Sequence, residues 1–335
     1  MPDPVAPILT QRGYVLLDGG LATELERRGL DLRDPLWSAK ALLEAPELVR
    51  RVHLDYYQAG ADVAVTASYQ ATFPGLRRRG LAVREIERVL RASVDLARSA
   101  REEFLAGPEA GSRVPPLVAA SIGPYGAFLH DGSEYRGDYG ISGRELTRFH
   151  RDRLTILAGS GADLLALETI PSRAEAEVLV ELLEQGAAGD TPAWVSFSCR
   201  DARRISDGTP LAECVRVVQG SELVVAVGLN CTAPGLVSAL LESAAEVATR
   251  PLVAYPNSGE TYDAATGTWG GTPNGPRIPD LAPEWLARGA RLIGGCCRTT
   301  PDTIRAITER LAAAGGTGRD RANREDGGGL GGQSG

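Results

Sequence analysis

The feature that most constrains the fold is a regular alternation between short apolar runs and longer segments with helical periodicity. Each apolar run is continuous rather than alternating in polarity, which is typical of parallel strands covered on both faces. The intervening segments, such as 46–60 and 84–105, carry apolar residues at helical spacing. A strand and a helix repeated eight times in 335 residues predict a single-domain (β/α)8 TIM barrel. The apolar runs are 14–20, 61–68, 116–123, 162–169, 192–199, 222–231, 251–259 and 290–297.

The barrel domain is predicted to occupy residues 1–313, and residues 314–335 are predicted to form a disordered Gly-rich tail. The tail combines glycine with charge, so it buries too little apolar surface to offset the entropy of ordering. A doubly wound open sheet is the structural alternative, and it places a glycine-rich phosphate turn after its first strand. Here Asp18-Gly19-Gly20 is followed by Leu21 and Ala22, which does not complete a GxGxxG motif. The barrel is therefore favoured.

Composition excludes several classes of partner. The net charge of −7 argues against nucleic acid, because phosphate binding requires a basic face. No apolar run reaches the roughly 18 residues of a membrane span, and Met1–Arg12 lacks the pattern of a signal peptide. We therefore expect a cytoplasmic protein with no membrane partner, and the oligomeric state is left open. Five cysteines, an odd number without regular spacing, argue against a disulfide framework.

Polar, glycine and thiol residues collect at the ends of the predicted strands. In a (β/α)8 barrel the active site lies at the carboxyl ends of the strands, so these side chains share one rim. No comparable set of residues precedes the strands. The rim residues include Asp18, Gly19, Gly20, Thr66, Ser121, Glu168, Ser196, Ser198, Asn230, Cys231, Tyr255, Asn257, Cys296 and Cys297.

Three of the rim residues are cysteines. Cys231 ends the sixth strand, and Cys296 and Cys297 end the eighth. A catalytic zinc ion takes three protein ligands and keeps one position open, and thiolates are among its preferred ligands. Adjacent residues on a strand point to opposite faces, so both could bind one ion only if the chain turns, as Gly294-Gly295 would allow. Buried thiols, or a disulfide between Cys296 and Cys297, remain alternatives from spacing alone.

Several motifs resemble those of the homocysteine S-methyltransferases, and the resemblance extends from about residue 14 to residue 312. Within that family the chain is most similar to the short, stand-alone enzymes that use S-methylmethionine or S-adenosylmethionine. The resemblance implies that Cys231, Cys296 and Cys297 bind a catalytic Zn²⁺. It also implies methyl transfer from a sulfonium donor to the thiol of homocysteine, which yields methionine. The motifs are Asp18-Gly19-Gly20, Leu167-Glu168-Thr169, Gly228-Leu229-Asn230-Cys231, Tyr255-Pro256-Asn257-Ser258-Gly259-Glu260 and Gly294-Gly295-Cys296-Cys297.

The amino acid part of homocysteine needs binding partners of its own. Carboxylates at the rim suit an ammonium group, and the resemblance implies this role for Asp18 and Glu168. Without it, an Asx turn or helix cap would explain Asp18 and a strand-end salt bridge would explain Glu168. The remaining candidates are the backbone N–H groups of Gly19 and Gly20 for the carboxylate, the hydroxyls of Thr66 and Ser198, and Asn230 as an orienting amide for the sulfur or the ammonium.

The donor is cationic, so aromatic faces are candidates for binding it. Tyr135 and Tyr139 lie in the loop 130–142, and Tyr262 and Trp269 lie in the loop 260–279; both loops are candidate lids. Three competitors remain: a betaine-dependent or other-donor thiol methyltransferase, a metal-dependent aldolase or lyase, and a non-enzymatic zinc-binding or redox-sensing barrel. Scarcity of histidine at the rim disfavours the aldolase or lyase.

Overall fold

A sheet of eight parallel strands forms the centre of the protein. The computed structural model describes residues 3–263, 268–270 and 277–325, with side chains for 3–260, 270 and 277–314. The strands follow one another around the sheet in the order β1-β10-β7-β6-β5-β4-β3-β2. Each predicted apolar run contains one of them, so the strand prediction is confirmed. Their bounds are β1 Val15–Leu16, β2 Val63–Val65, β3 Leu117–Ile122, β4 Leu164–Ile170, β5 Ala193–Phe197, β6 Val224–Asn230, β7 Leu252–Tyr255 and β10 Ala290–Ile293.

The sheet closes between its first and second strands. Leu17 and Val63 form a parallel bridge, and the Asp18 N–H donates to the Val63 carbonyl at 3.1 Å. Asp62 strengthens the same seam, because its backbone N–H donates to the Leu16 carbonyl and its side chain accepts from the Leu16 N–H at 2.8 Å. Closure removes both free edges of the sheet. The predicted (β/α)8 barrel is therefore confirmed, and the open-sheet alternative is wrong.

Helices surround the sheet and bury their apolar faces against it. In α6, for example, Ile86, Leu90, Val94 and Ala97 are all fully buried, and their spacing of three and four residues places them on one face. The α-helices are α1 Ala6–Arg12, α2 Leu21–Arg27, α3 Ala41–Glu44, α4 Pro46–Gln58, α5 Phe73–Arg78, α6 Val83–Ala106, α7 Tyr125–Leu129, α8 Gly143–Ala158, α9 Arg173–Glu184, α10 Leu211–Val218, α11 Pro234–Ala245, α12 Ile278–Ala287 and α13 Pro301–Glu325. Three 3₁₀ helices span Trp37–Lys40, Pro108–Ala110 and Ser133–Tyr135.

Side chains fill the interior of the barrel below the site. Val15, Val63, Ala166 and Val253 are fully buried there, together with the large ring of Trp194. Trp194 Nε1 donates to the Tyr255 hydroxyl at 2.9 Å, so polar contacts begin at Trp194 and continue toward the carboxyl ends of the strands. A packed interior leaves the carboxyl ends of the strands as the place where a ligand can enter.

The last helix, α13, extends from Pro301 to Glu325. The end of the barrel domain at residue 313 and the disordered tail 314–335 stay predictions. Residues 326–335 lie outside the described residues. In the described part of the chain, no helix has both the length and the apolarity to span a membrane. The cytoplasmic location also stays a prediction.

Candidate functional site

A cavity opens at the carboxyl ends of the strands, where a barrel of this kind binds its ligands. Predicted site residues that line it are Asp18, Gly19, Gly20, Thr66, Glu168, Cys231, Cys296 and Cys297. Asn230 and Ser198 lie behind the cavity wall rather than in it. Further lining residues include Trp37, Tyr69, Gln70, His130, Glu134, Tyr135, Thr169 and Tyr255.

The three cysteines meet on one side of this cavity. Their Sγ atoms all lie within 4.8 Å of one another, and Cys231 Sγ is 3.7 Å from Cys297 Sγ. A tetrahedral zinc site with Zn–S bonds of about 2.3 Å places its sulfur atoms about 3.8 Å apart. The cluster therefore has the spacing and the soft donor set that a thiophilic metal ion requires.

Backbone geometry brings the adjacent pair to the same ion site. The strand β10 ends at Ile293, so Cys296 and Cys297 stand in a loop and do not follow strand alternation. Cys296 N–H donates to the Pro256 carbonyl at 2.8 Å, and the Cys297 carbonyl accepts from the Ser258 N–H at 3.1 Å. Both bonds attach the loop to the segment that follows β7.

Glycine at position 295 is needed because the turn is tight. A Cβ at Gly295 would lie 2.3 Å from Thr299 Oγ1, the hydroxyl that donates to the Cys296 carbonyl at 2.6 Å. Cys231 itself has a φ of 47°, in the left-handed region, and its N–H donates to the Tyr255 carbonyl at 3.1 Å. Hydrogen bonds from Cys296 and Cys297 lower the pKa of Cys231 well below its ordinary value.

Two buried carboxyl groups stand at the cavity wall. Asp18 accepts a hydrogen bond from the Val65 N–H at 2.8 Å, and Glu168 accepts from the hydroxyls of Ser121 and, at 3.0 Å, Tyr255. Burial raises the pKa of Asp18 well above its ordinary value and raises the pKa of Glu168 to about 7. No lysine or arginine stands among the described residues that line the cavity, so neither carboxyl has a cationic partner there, and an ammonium group of a ligand would supply one.

The remaining predicted residues support the site in different ways. The amide of Asn230 accepts from the Thr169 N–H and the Ser196 hydroxyl, and its Nδ2 lies 3.9 Å from Cys296 Sγ. Thr66 Oγ1 accepts from the Ser121 N–H at 3.1 Å. The Gly20 N–H donates to Thr299, so this donor is already used within the protein. The geometry thus favours an orienting role for Asn230 and a structural one for Gly20.

The loop 130–142 covers one side of the cavity. Its 3₁₀ helix places the Tyr135 hydroxyl 3.2 Å from Cys231 Sγ, whereas the Tyr139 hydroxyl donates to Glu175 and points away from the thiols. Ser198 Oγ donates to the Glu134 carbonyl at 2.9 Å, so Ser198 holds this loop instead of lining the cavity. In the other candidate lid, β8 Thr261–Asp263 and β9 Thr268–Gly270 form an antiparallel hairpin. The side chains of Tyr262 and Trp269 lie outside the described residues.

Sequence patterns did not single out several cavity residues. Trp37 and Tyr69 form an edge-to-face ring pair with centroids 6.3 Å apart, and both line the cavity. Glu134 lies beside Tyr135, and burial raises its pKa to about 7. These residues come from loops without periodicity, and only the presence of aromatic and acidic residues near rim segments could have pointed to them.

Comparison with known proteins identifies the family. The sequence profile described as homocysteine S-methyltransferase matches residues 15–311, which includes every cavity residue named above. The chain belongs to the homocysteine S-methyltransferase family. It is therefore a methyltransferase, and the non-enzymatic alternative is excluded.

Members of the homocysteine S-methyltransferase family match over nearly their whole length. Homocysteine S-methyltransferase of Escherichia coli is 51% identical over 92% of this chain and 98% of its own. Homocysteine S-methyltransferase YbgG of Bacillus subtilis is 49% identical over 91% of this chain and 96% of its own. The crystal structure of the metallated E. coli homocysteine methyltransferase MmuM superposes with a TM-score of 0.82 at 49% identity, covering 92% of this chain and 100% of that one.

Proposed function

We propose that the protein transfers a methyl group from a sulfonium donor, S-methylmethionine or S-adenosylmethionine, to the thiol of homocysteine, with zinc as its metal and methionine as the product. The observation that carries this proposal is the cluster of three Sγ atoms within 4.8 Å of one another at the cavity wall. Cys231, Cys296 and Cys297 would hold the ion, and their number leaves one tetrahedral position for the substrate sulfur. A reducing compartment such as the cytoplasm keeps these thiols available as ligands.

The charged groups beside the thiols indicate where homocysteine binds. When bound, the zinc ion supplies the Lewis acidity that deprotonates the homocysteine thiol. Asp18 and Glu168 bind the ammonium group, because both are buried carboxyls and the described residues around the cavity include no lysine or arginine. Asn230 orients the site from behind, since its Nδ2 lies near Cys296 Sγ and its Oδ1 is held by Thr169 and Ser196.

The donor half suits a cation. Among the described residues that line the cavity there is no lysine or arginine, whereas Asp18, Glu134 and Glu168 are acidic. Trp37 and Tyr69 present aromatic rings, whose faces attract cations.

The homocysteine sulfur forms the new bond to the methyl carbon as the bond to the donor sulfur breaks. The electron pair of the broken bond stays on the donor sulfur, which becomes a neutral thioether. Placing both sulfurs in line with the methyl group supplies much of the rate.

The test of the metal assignment is a comparison of cysteine variants. Cys231→Ala and Cys297→Ala should each lose methyl transfer and most of the bound zinc, measured by elemental analysis after purification under reducing conditions. The matched control is Cys199→Ala, because Cys199 is also a free thiol but lies outside the cluster. The control should keep one zinc per chain and full activity. Full activity in either cluster variant, or a different metal in active protein, would contradict the proposal.

The test of the donor assignment is a methyl-transfer assay with homocysteine and one donor at a time. S-methylmethionine and S-adenosylmethionine should support methionine formation, whereas betaine and methyl-folate should not. Betaine has a quaternary nitrogen in place of a sulfonium. Activity with betaine alone would therefore show that the donor assignment is wrong, and the assignment of a thiol acceptor would stand. No methionine with any donor would overturn the proposed reaction.

A further inference from the structure

One acidic group of the cavity has a buried oxygen without a hydrogen-bond partner among the described residues, and the reaction described so far gives this group no role. Glu134 belongs to the 3₁₀ helix Ser133–Tyr135 and lines the cavity. Its Oε2 atom is buried, and no described residue donates a hydrogen bond to it. Burying a carboxylate without a partner is unfavourable, so the arrangement is best explained by a ligand that completes it.

The position of Glu134 is fixed by its backbone rather than by its carboxylate. Ser198 Oγ donates to its carbonyl at 2.9 Å, and Gly126 packs so closely beneath it that a Cβ there would lie 2.4 Å from the Glu134 nitrogen. The neighbouring Tyr135 hydroxyl lies 3.2 Å from Cys231 Sγ. The carboxylate is therefore held at the cavity, on the covering loop, with its Oε2 atom left without a described donor.

The other two carboxyls of the cavity differ in this respect. Asp18 accepts from the Val65 N–H, and Glu168 accepts from Ser121 and Tyr255, so both are tied to the barrel wall. Those two are assigned to the homocysteine ammonium in the proposed function. Glu134 stands on the loop that covers the site and is left for the second substrate. No described lysine or arginine lines the cavity to neutralise it.

We infer that Glu134 recognises the methyl donor by binding its positive charge, which is carried by the sulfonium or by the donor's own α-ammonium. This inference rests on the proposed function and adds to it a donor-specificity residue. Attraction to the sulfonium weakens as the methyl group leaves, because the donor sulfur becomes neutral. Attraction to the ammonium is equal in the ground and transition states. In both cases Glu134 lowers the donor KM and does not raise kcat.

The test is steady-state kinetics on Glu134→Gln, which removes the charge and keeps the shape. The donor KM should rise about 10- to 100-fold, the range expected for loss of a charge-assisted contact, with the homocysteine KM and kcat changed less than about threefold. Asp138→Asn is the matched control, because it removes one charge from the same loop at a side chain that is 74% exposed. It should leave both KM values unchanged.

Two donors locate the recognised charge. S-methylmethionine carries a sulfonium and an ammonium, whereas dimethylsulfonioacetate carries a sulfonium alone. A rise in KM for both donors in Glu134→Gln places the contact at the sulfonium, and a rise for S-methylmethionine alone places it at the ammonium. An unchanged donor KM, or a rise confined to homocysteine, overturns the inference.

Folding and the underlying reaction are checked separately. Glu134→Asp keeps the charge and should retain more donor affinity than Glu134→Gln, and neither variant should have a lower melting temperature than the unmodified protein. If the unmodified protein transfers no methyl group from either sulfonium, the proposed function fails. Calorimetry of S-methylmethionine binding then decides the inference. Binding to Glu134→Gln must be weaker than binding to the unmodified protein if Glu134 recognises the cation. Equal binding to the two proteins overturns the inference.

Discussion

Replacing Glu168 with glutamine should stabilise the fold while weakening homocysteine binding. Glu168 is 6% exposed, and burial raises its pKa from 4.5 to about 7 despite hydrogen bonds from Ser121 and Tyr255 that favour the carboxylate. The folded state therefore binds this proton more tightly than the unfolded chain does. As a result, Glu168 causes no loss of stability below pH 4.5, and the loss grows as the pH rises from 4.5 to about 7 and then levels off.

The size of this effect follows from the two pKa values. Each pH unit between the folded and unfolded pKa corresponds to about 1.36 kcal/mol. Glu168 therefore lowers the free energy of unfolding by about 3 kcal/mol at pH 8 and by about 1 kcal/mol at pH 5. Glu168→Gln removes the titration. Any loss from poorer hydrogen bonding of the amide is the same at both pH values, so the stabilisation by the variant should be about 2 kcal/mol larger at pH 8 than at pH 5.

Urea unfolding of the metal-loaded, substrate-free protein under reducing conditions measures this difference. Glu102→Gln is the control, because Glu102 is exposed on α6, and its effect on unfolding should be small and equal at the two pH values. The homocysteine KM of Glu168→Gln should rise at least about 10-fold, since an ammonium contact to a carboxylate is lost. A stability difference between variant and unmodified protein that is independent of pH would refute the argument.

Three further changes test the framework of the site. Gly228→Ala should lower the free energy of unfolding by about 2 kcal/mol or more, because the alanine Cβ would lie 2.0 Å from the Val253 carbonyl oxygen, between β6 and β7. Thermal unfolding measures this loss, with Gly220→Ala as the control. Tyr255→Phe should raise the Glu168 pKa further, which moves the acid limb of kcat/KM for homocysteine to higher pH in a pH–rate profile. Ser198→Ala removes one hydrogen bond to the covering loop and should lower kcat/KM for the donor about fivefold in initial-rate assays, with zinc content unchanged.

The barrel was predictable because parallel strands that are buried on both faces have continuous apolar runs in the sequence. The ends of the strands were less predictable. The run 290–297 was expected to be one strand, but β10 ends at Ile293, and the run 251–259 contains a strand only from Leu252 to Tyr255. In both cases the residues beyond the strand form rim loops. Apolar and glycine residues pack tightly in these loops too, so composition alone does not separate strand from rim.

The site was predictable where its residues stand at strand ends and less so elsewhere. Cys231 and Glu168 follow from their positions along the strands, and both line the cavity. Ser198 is also a strand-end residue, yet its hydroxyl donates to the Glu134 carbonyl, because the direction of a loop side chain depends on contacts distant in sequence. Tyr69 and Glu134 come from connecting segments with no periodic signal. Tertiary packing, not local pattern, brings them to the cavity.

Backbone strain marks the site independently of its side-chain chemistry. In the part of the chain that the structure describes, the non-glycine residues with positive φ are Trp37, His130, Thr169, Cys231 and Arg298. The first four line the cavity, and Arg298 follows Cys297 in the chain. Such conformations cost on the order of 1 kcal/mol or more each and persist only where surrounding contacts fix them. At Cys231 the fixing contact is the bond from its N–H to the Tyr255 carbonyl, which directs the thiol toward Cys297. The strain therefore coincides with the residues that line the cavity, and at Cys231 it accompanies the contacts that bring its thiol beside that of Cys297.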